Sequence, residues 1–534
     1  VTATFNGTDV SEKLKGLPVF TAEKVESVND ITFNTEGLNL NEGTNTVEVT
    51  VVNNSGVSSN ETYEVYVDTI KPEVSQFEFK TVKSDVDKIL SFLTFGIYNN
   101  EKIQVTVSAY DVNNAENAKS GIDYLEENHA EIQLYSVANQ DKITAGDYNY
   151  KDGILSRTFT LDCRENEFKQ YMLTAKAWDN VHNMSASYTF EKPDKAEDLY
   201  SKGLKAKQSD SADTEVVTNT IAPIVTSITS NAYGDDSVKY TDSENREWYS
   251  YNIQFNISAD DSEVANHHTG IKSVTATFNG TDVSEKLKGL PTFTDKKFES
   301  VSDITFNTEG MTLKDGENKV EVTVVNNSGV SSTKEYIVYV DTTAPKITSF
   351  TIKNNSQNPI VDETSSQKYS YYFQTDTQVT VNADDNAEDK GNYSGIKTIY
   401  FRAYDVVTGE EYKSSKNVST DNATASATFT VKANFKGELY AYAVDNVDNN
   451  GKTQHGEKKP DDLIVETQQH HNGNASVTMS RTKASYKDNS GLDLYSGNVN
   501  ARVVFEDAYA GIKDATITVY DYKNDVTGTI YAEI

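Results

Sequence analysis

Carboxylates recur at matching places along this chain, and their type and spacing could do chemistry. One set ends a strand-like run and is followed by Gly-Ile: Asp111 before Gly121-Ile122, Asp260-Asp261 before Gly270-Ile271, Asp384-Asp385 before Gly395-Ile396, and Glu506-Asp507 before Gly511-Ile512. A second set ends a later run: Asp179-Asn180 with Asn183, and Asp445-Asn446 with Asn449. Asn326-Asn327 holds the matching place in another copy. The third set marks a repeated joint, with Asp68, Asn219, Asp341 and Glu466 each followed by Thr. Hard oxygen ligands without Cys or His suit Ca2+. Asp and Asn after a strand also build turns through their own side-chain hydrogen bonds. Turn formation alone and a cation site are therefore both open readings.

Catalytic signatures are missing. The histidines are His129, His182, His267, His268, His455, His470 and His471, and none belongs to a His-Glu-x-x-His motif. His267-His268 and His470-His471 fall in polar stretches that read as solvated loops. Cys163 ends an apparent strand with no nucleophile signature around it. There is no Gly-x-Ser-x-Gly and no phosphate loop. A glycosidase pair is not excluded by counting carboxylates, but carboxylates that repeat with the domains fit a structural job better. An intramolecular Lys–Asn isopeptide bond is chemically conceivable, and no distinctive signature marks it.

The elements that must position these acids are strands. In Tyr336-Ile337-Val338-Tyr339-Val340-Asp341-Thr342-Thr343-Ala344-Pro345, apolar residues alternate as in a half-buried strand. Pro345 removes a backbone donor and fixes φ, so the ladder stops there. Val1–Pro18 repeats as Val274–Pro291 without a change, and the match runs ungapped to the joint at roughly three quarters identity. Strand runs of five to eight residues, frequent turn signals and little helical periodicity predict an all-β sandwich array. The expected domains are 1–70 (a C-terminal part), 71–221 with an insertion near 192–215, 222–343, 344–466, and 467–534 (an N-terminal part). One short helix is expected around 196–205. Residue 1 falls in mid-domain, so the chain reads as a fragment.

Composition narrows the function classes. A formal charge of −32 argues against nucleic acid and anionic lipid partners. No apolar run is long enough for a membrane span. The 32 Tyr and 21 Phe in alternating runs argue against disorder. One cysteine makes no internal disulfide.

The pattern of a strand into Ala-x-Asp, then Ser-Gly-Ile, a strand into Ala-x-Asp-Asn-x-x-Asn, and a closing Tyr-Val-Asp-Thr-Thr-Ala-Pro resembles the tandem bacterial Ig-like domains of large surface proteins. The resemblance implies an all-β array extended like beads on a rod, at the cell surface, often carrying an adhesive or enzymatic head. The departures are Asn219 and Glu466 at the joint acid, no Pro after Glu466, and Asn326-Asn327 in place of Asp-Asn. In an Ig-type sandwich the loops after the second and sixth strands share the end that the preceding domain enters. The first two motifs then converge on the joint. This gathers Asp341 with Asp384, Asp385 and Asp445, Asp448 being a further candidate. It gathers Asp68 with Asp111 and Asp179, and Asn219 with Asp260 and Asp261. The expected role is a non-enzymatic stalk or fibre segment with Ca2+ at its joints. Its partners would be a glycan or protein engaged through a region outside this fragment, or other copies of the chain. Rival readings are an array of ligand-binding modules, an accessory region of a secreted enzyme, and a phage-fibre or surface-layer subunit. The module reading needs exposed aromatics, with Tyr369–Phe373 and Trp248–Tyr251 as candidates.

Overall fold

The computed structural model describes residues 1–534 apart from 22–23, 82–90, 113–119, 125–129, 138–142, 196–197, 200–202, 262–267, 295, 354–368, 374, 387–390, 460–461, 466–475, 481–484, 488, 490–492, 496–499, 506–515, 522–525 and 532–534. The fold is all-β, a tandem array of sandwiches with Ig-like strand order. The third domain shows the plan. Ile224–Ala232, Ile253–Asp260 and Ser300–Asn307 form a three-stranded sheet. It packs on a six-stranded sheet whose centre is Ser331–Val340, Gly316–Asn326 and Ile271–Phe278. Alternate residues meet between them: Ile253, Phe255, Ile257 and Ala259 from one side, Val320, Val322, Val324, Val338 and Val340 from the other. The short strand Glu247–Tyr249 runs parallel to the last strand, with Tyr249 opposite Val340. Trp248 and Tyr249 are both buried, so only Tyr251 of the Trp248–Tyr251 stretch is exposed. Of Tyr369–Phe373, the one described side chain, Phe373, is buried in its core. The Trp248–Tyr251 stretch therefore presents Tyr251 alone, and the side chains of Tyr369, Tyr371 and Tyr372 lie outside the described residues.

The fourth domain repeats the plan. Lys346–Lys353, Thr377–Asp384 and Thr424–Val431 face a five-stranded sheet containing Ile396–Asp405 and Phe435–Asp445. The second domain departs from it. Its insertion supplies a strand, Leu204–Gln208, that pairs with both Tyr188–Phe190 and Glu73–Thr81. That strand joins the two halves of an eight-stranded sheet. The helix expected around 196–205 is present at 198–199, 196–197 and 200–202 lie outside the described residues, and at 204–208 a strand stands instead. Alternation of Leu204 and Ala206 toward the core, with partner edges on both sides, outweighs the local helix propensity of Ala and Lys.

The first copy is Thr2–Phe5, Thr8–Asp9, Gly43–Val52 and Ser58–Val67 in one sheet. The last region is described as three separate strand pairs, and its Glu506-Asp507 and Gly511-Ile512 lie outside the described residues, as does Glu466.

Candidate metal centres at the joints

Strand alternation delivers three carboxylates to one point at the joint between the third and fourth domains. Val338 and Val340 face the core, and the chain leaves the sheet at Asp341, whose N–H still donates to Tyr249 O at 2.9 Å. In the next domain Val379, Val381 and Ala383 point inward, and Asp385 continues that face past the strand end. Leu439, Ala441, Ala443 and Asp445 do the same on the later strand. Asp341, Asp385 and Asp445 are each no more than 1% exposed, and one oxygen from each lies within 4.8 Å of the others.

Each carboxylate also holds a turn. Asp341 Oδ2 accepts from Ser394 N at 2.7 Å and Oδ1 from Thr343 N at 3.1 Å. Asp385 Oδ2 accepts from Gly395 N at 2.9 Å. Asp445 Oδ1 accepts from Val447 N and Asn449 N, and its Oδ2 from Asn449 Nδ2 at 2.7 Å. Asn449 Nδ2 also donates to Asp341 O at 2.8 Å, which ties the loop to the incoming chain. Gly395 sits at φ +87°, where a Cβ would meet Thr420 O at 2.2 Å. Only glycine lets the loop pass there. The turn and the cation readings are thus compatible: the acids that hold the turns also bring one oxygen each within 4.8 Å of the others.

Two polar atoms at this point lack partners among the described residues. Asp385 Oδ1 and Ser394 Oγ are buried with no hydrogen bond, in residues 0% and 1% exposed. Burying such atoms without a partner is costly. Burial, then the charges of Asp341 and Asp445, pushes Asp385 up to about 10. Burial and Asp341 push Asp445 up to about 8. Burial, opposed by Ser394 and Thr343 and helped to a smaller degree by Asp315, pushes Asp341 up to about 6. Three carboxylates that repel one another in a buried pocket need protons or a cation. An all-oxygen set suits a hard cation such as Ca2+, which Asp341, Asp385 and Asp445 would hold with Ser394 beside them.

The joint between the first and second domains has the same three positions. Asp68, Asp111 and Asp179 bring carboxylate oxygens within 4.8 Å of one another. Asp68 Oδ2 accepts from Ser120 N and Asp111 Oδ2 from Gly121 N at 2.8 Å. Asn183 Nδ2 bonds both Asp179 Oδ2 and Asp68 O, as Asn449 does at the other joint. Burial raises the Asp179 pKa, and Asp68 adds to it against the turn hydrogen bonds.

The joint between the second and third domains is built differently. Asn219 and Asn326 occupy the places of Asp341 and Asp445, leaving Asp261 as the carboxylate. Asp261 Oδ2 accepts from Gly270 N at 2.7 Å and Thr269 N at 3.1 Å, and Oδ1 accepts from Asn326 Nδ2 at 3.0 Å. Asn326 Nδ2 also reaches Ile221 O, and Asn219 Nδ2 donates to Thr269 Oγ1 at 3.3 Å. Here an amide donor faces a carboxylate acceptor, so both Asp261 oxygens have partners.

Of the nine acids expected at the joints, Asp384 and Asp260 are not brought in. Each ends its strand on the half-buried outward face, one residue before the acid that turns inward. Asp448 is exposed and accepts from Lys397 Nζ. Asn183 and Asn449 of Asp-Asn-x-x-Asn and Ser394 of Ser-Gly-Ile are marked by the motifs and are not among the expected site residues. Elsewhere, Cys163 is half-buried, and burial together with Glu167 raises its thiol pKa, which suits a packed thiol. His455 contacts Ala344 O at 3.0 Å and serves the joint. A shallow cleft on the fourth domain holds Tyr400 stacked on Tyr442 and Arg402 over Tyr440, with Arg402 also held by Glu411 and Glu457.

No protein-family model matches the chain, and no curated protein does. Among solved structures it is similar to a tetra-tandem repeat in the extending region of a large adhesion protein, at 16% identity and TM-score 0.24, over 76% of this chain and 79% of that one. It is similar to a protocadherin gammaB7 EC3-6 cis-dimer structure at 12% identity and TM-score 0.22, over 87% and 92%. It is also similar to dimeric latent PorU from Porphyromonas gingivalis at 11% identity and TM-score 0.16, covering 75% of this chain and 34% of that one. The chain thus spans about a third of PorU. At these scores the architecture rests on the strands and cores described above. Among the described residues no helix is long and apolar enough to cross a membrane.

Proposed function

We propose that this chain is a non-enzymatic stalk segment of a secreted surface protein, and that calcium stiffens its joints at Asp68 and Asp341. The observation that carries the reading is the buried triad of Asp341, Asp385 and Asp445, with an unpartnered carboxylate oxygen and an unpartnered serine hydroxyl beside it. The triad joins one residue that ends a domain to two loops of the next. A cation bound there ties the two domains together, and its loss removes that tie and leaves the acids to take up protons. Joint hydrogen bonds support the same mechanical role: Asp315 accepts from Thr342 N and Thr343 Oγ1, each at 2.8 Å, and Gln454 Oε1 from Ala344 N at 2.9 Å. The net charge of −32 makes neighbouring chains repel one another over a range of about 10 Å at 0.1 M salt, which favours separate fibres.

Calorimetric titration of the chelator-stripped 534-residue chain with CaCl2, followed by melting in CaCl2 and in EGTA, tests this. Saturable calcium uptake with a higher melting transition is expected. No uptake, or identical melting in both buffers, refutes it.

A further inference from the structure

The three described joints differ in kind, and the difference lies in what neutralises them. At Asp68 and Asp341 three carboxylates converge. At Asn219 two amides stand in for carboxylates, and Asp261 is satisfied by protein donors alone. This joint has a second tie. Glu215, in the strand Glu215–Asn219 that closes the second domain, is 8% exposed. It accepts from Tyr98 Oη and Gln170 Nε2 of its own domain. The third ligand on Glu215 is Lys297 Nζ, from a loop of the third domain. The ammonium also lies 5.4 Å over the Tyr98 ring. Burial keeps the Tyr98 hydroxyl protonated by pushing its pKa far up, so it remains a donor to Glu215.

The Lys297 loop is locked to the same end as the amides. Gly270, at φ +85°, lies against it so closely that a Cβ would meet Lys297 Cα at 3.1 Å. Asp261 N donates to Glu299 O at 2.8 Å, two residues further on. The loop at the corresponding place in the fourth domain reaches back too, but with a carboxylate: Asp421 accepts from Tyr240 Oη and from Ser243 N at 3.1 Å. Among the described residues, the Asn219 joint is therefore the one of the three in which a covalently attached cation bridges the domains beside an amide-balanced cluster.

We propose that the joint between the second and third domains is closed without a metal, by Asn219, Asn326 and the Lys297–Glu215 pair. Chelation then frees the joints at Asp68 and Asp341 and leaves the second and third domains coupled as one rigid unit. A chelator strips a free ion by mass action, but a lysine on the chain does not leave. The stalk then has cation-gated hinges on either side of a permanent one. This rests on the calcium reading for the two acidic joints, while closure at Asn219 stands on its own contacts.

The test is spin-label distance measurement in the 534-residue chain with Cys163→Ser. Labels at exposed Lys205 and Thr275 span the Asn219 joint, and labels at Thr275 and Thr430 span the Asp341 joint. In EGTA the Thr275–Thr430 distribution is expected to at least double in width while Lys205–Thr275 stays as in CaCl2. Lys297→Met is expected to broaden Lys205–Thr275 in both buffers, with Thr275–Thr430 still narrow in CaCl2 as the control for folding. Asn219→Asp with Asn326→Asp is expected to make the Lys205–Thr275 distribution calcium-dependent. Broadening of both native pairs in EGTA overturns the proposal, as does a Lys205–Thr275 distribution that is broad from the start or indifferent to Lys297→Met. If calorimetry finds no calcium uptake, the reading of the acidic joints fails. A narrow Lys205–Thr275 pair that Lys297→Met broadens still supports metal-free closure, so the two failures are distinguishable.

Discussion

Replacing Asp385 by Asn should change the sign of its effect with calcium. In the native chain without cation, burial and the charges of Asp341 and Asp445 hold Asp385 protonated up to about pH 10. The unfolded chain ionises the same residue from 3.8 upward. Each pH unit between that value and 7 disfavours the folded state by about 1.4 kcal/mol. The burden at pH 7 is therefore at most about 4 kcal/mol, before neighbouring groups adjust. Asn carries no such burden. Its oxygen can still accept from Gly395 N, and its amide can donate to Asp341 or Asp445, as Asn326 does to Asp261. In EGTA, Asp385→Asn should therefore raise the melting transition of the fourth domain, by up to on the order of 10 °C. In saturating CaCl2 it should melt below the native chain, because a charged ligand is gone. Scanning calorimetry of the full chain in both buffers reads both signs. A loss of equal size in both buffers would show that Asp385 is only a turn acid, and the cation reasoning would be wrong.

The same groups set a pH dependence. The folded pKa values of Asp341, Asp445 and Asp385 are raised to about 6, 8 and 10, so without cation their contribution favours folding at low pH and is lost as pH rises through those values. The native chain melted in EGTA from pH 5 to 9 should show that decline, and Asp385→Asn should make it shallower. Calcium must displace the protons, so its affinity should strengthen from pH 6 to 8 in calorimetric titration. Gly395→Ala places a methyl against Thr420 O at φ +87° and should destabilise the fourth domain by about 2 kcal/mol or more, read as a fall in its melting transition. Val322→Ala should destabilise by about 2 kcal/mol, because Val322 is fully buried between two sheets. Val49→Ala, at the matching place of the first copy where the residue is only half-buried, should have less than half that effect in denaturant titration.

The sequence alone determined the period-two runs, the joints and the acids that end each strand. These are local properties: a strand exposes alternate residues to alternate faces, and Pro345 or an Asx turn stops it whatever lies beyond. Even the choice between Asp384 and Asp385 was within reach, since Val379, Val381 and Ala383 set the inward parity that Asp385 continues. The strand in the insertion was not, because Leu204–Gln208 exists by pairing with two other strands. Nor was the Lys297–Glu215 tie, which crosses between domains through a loop with no motif. The repeat makes the division plain. Residues 27–34 and 300–307 differ only at Asn29 and Ser302. Ser300–Asn307 is a strand because Ile253–Asp260 lies beside it and takes its hydrogen bonds. Residues 27–34 have no such neighbour among the described residues and make a single bridge, Lys15 to Thr32. A strand's backbone donors and acceptors are satisfied by another strand. The same letters are therefore sheet in one copy and loop in the other. In the same way, three acids far apart in sequence become a site only where two domains meet.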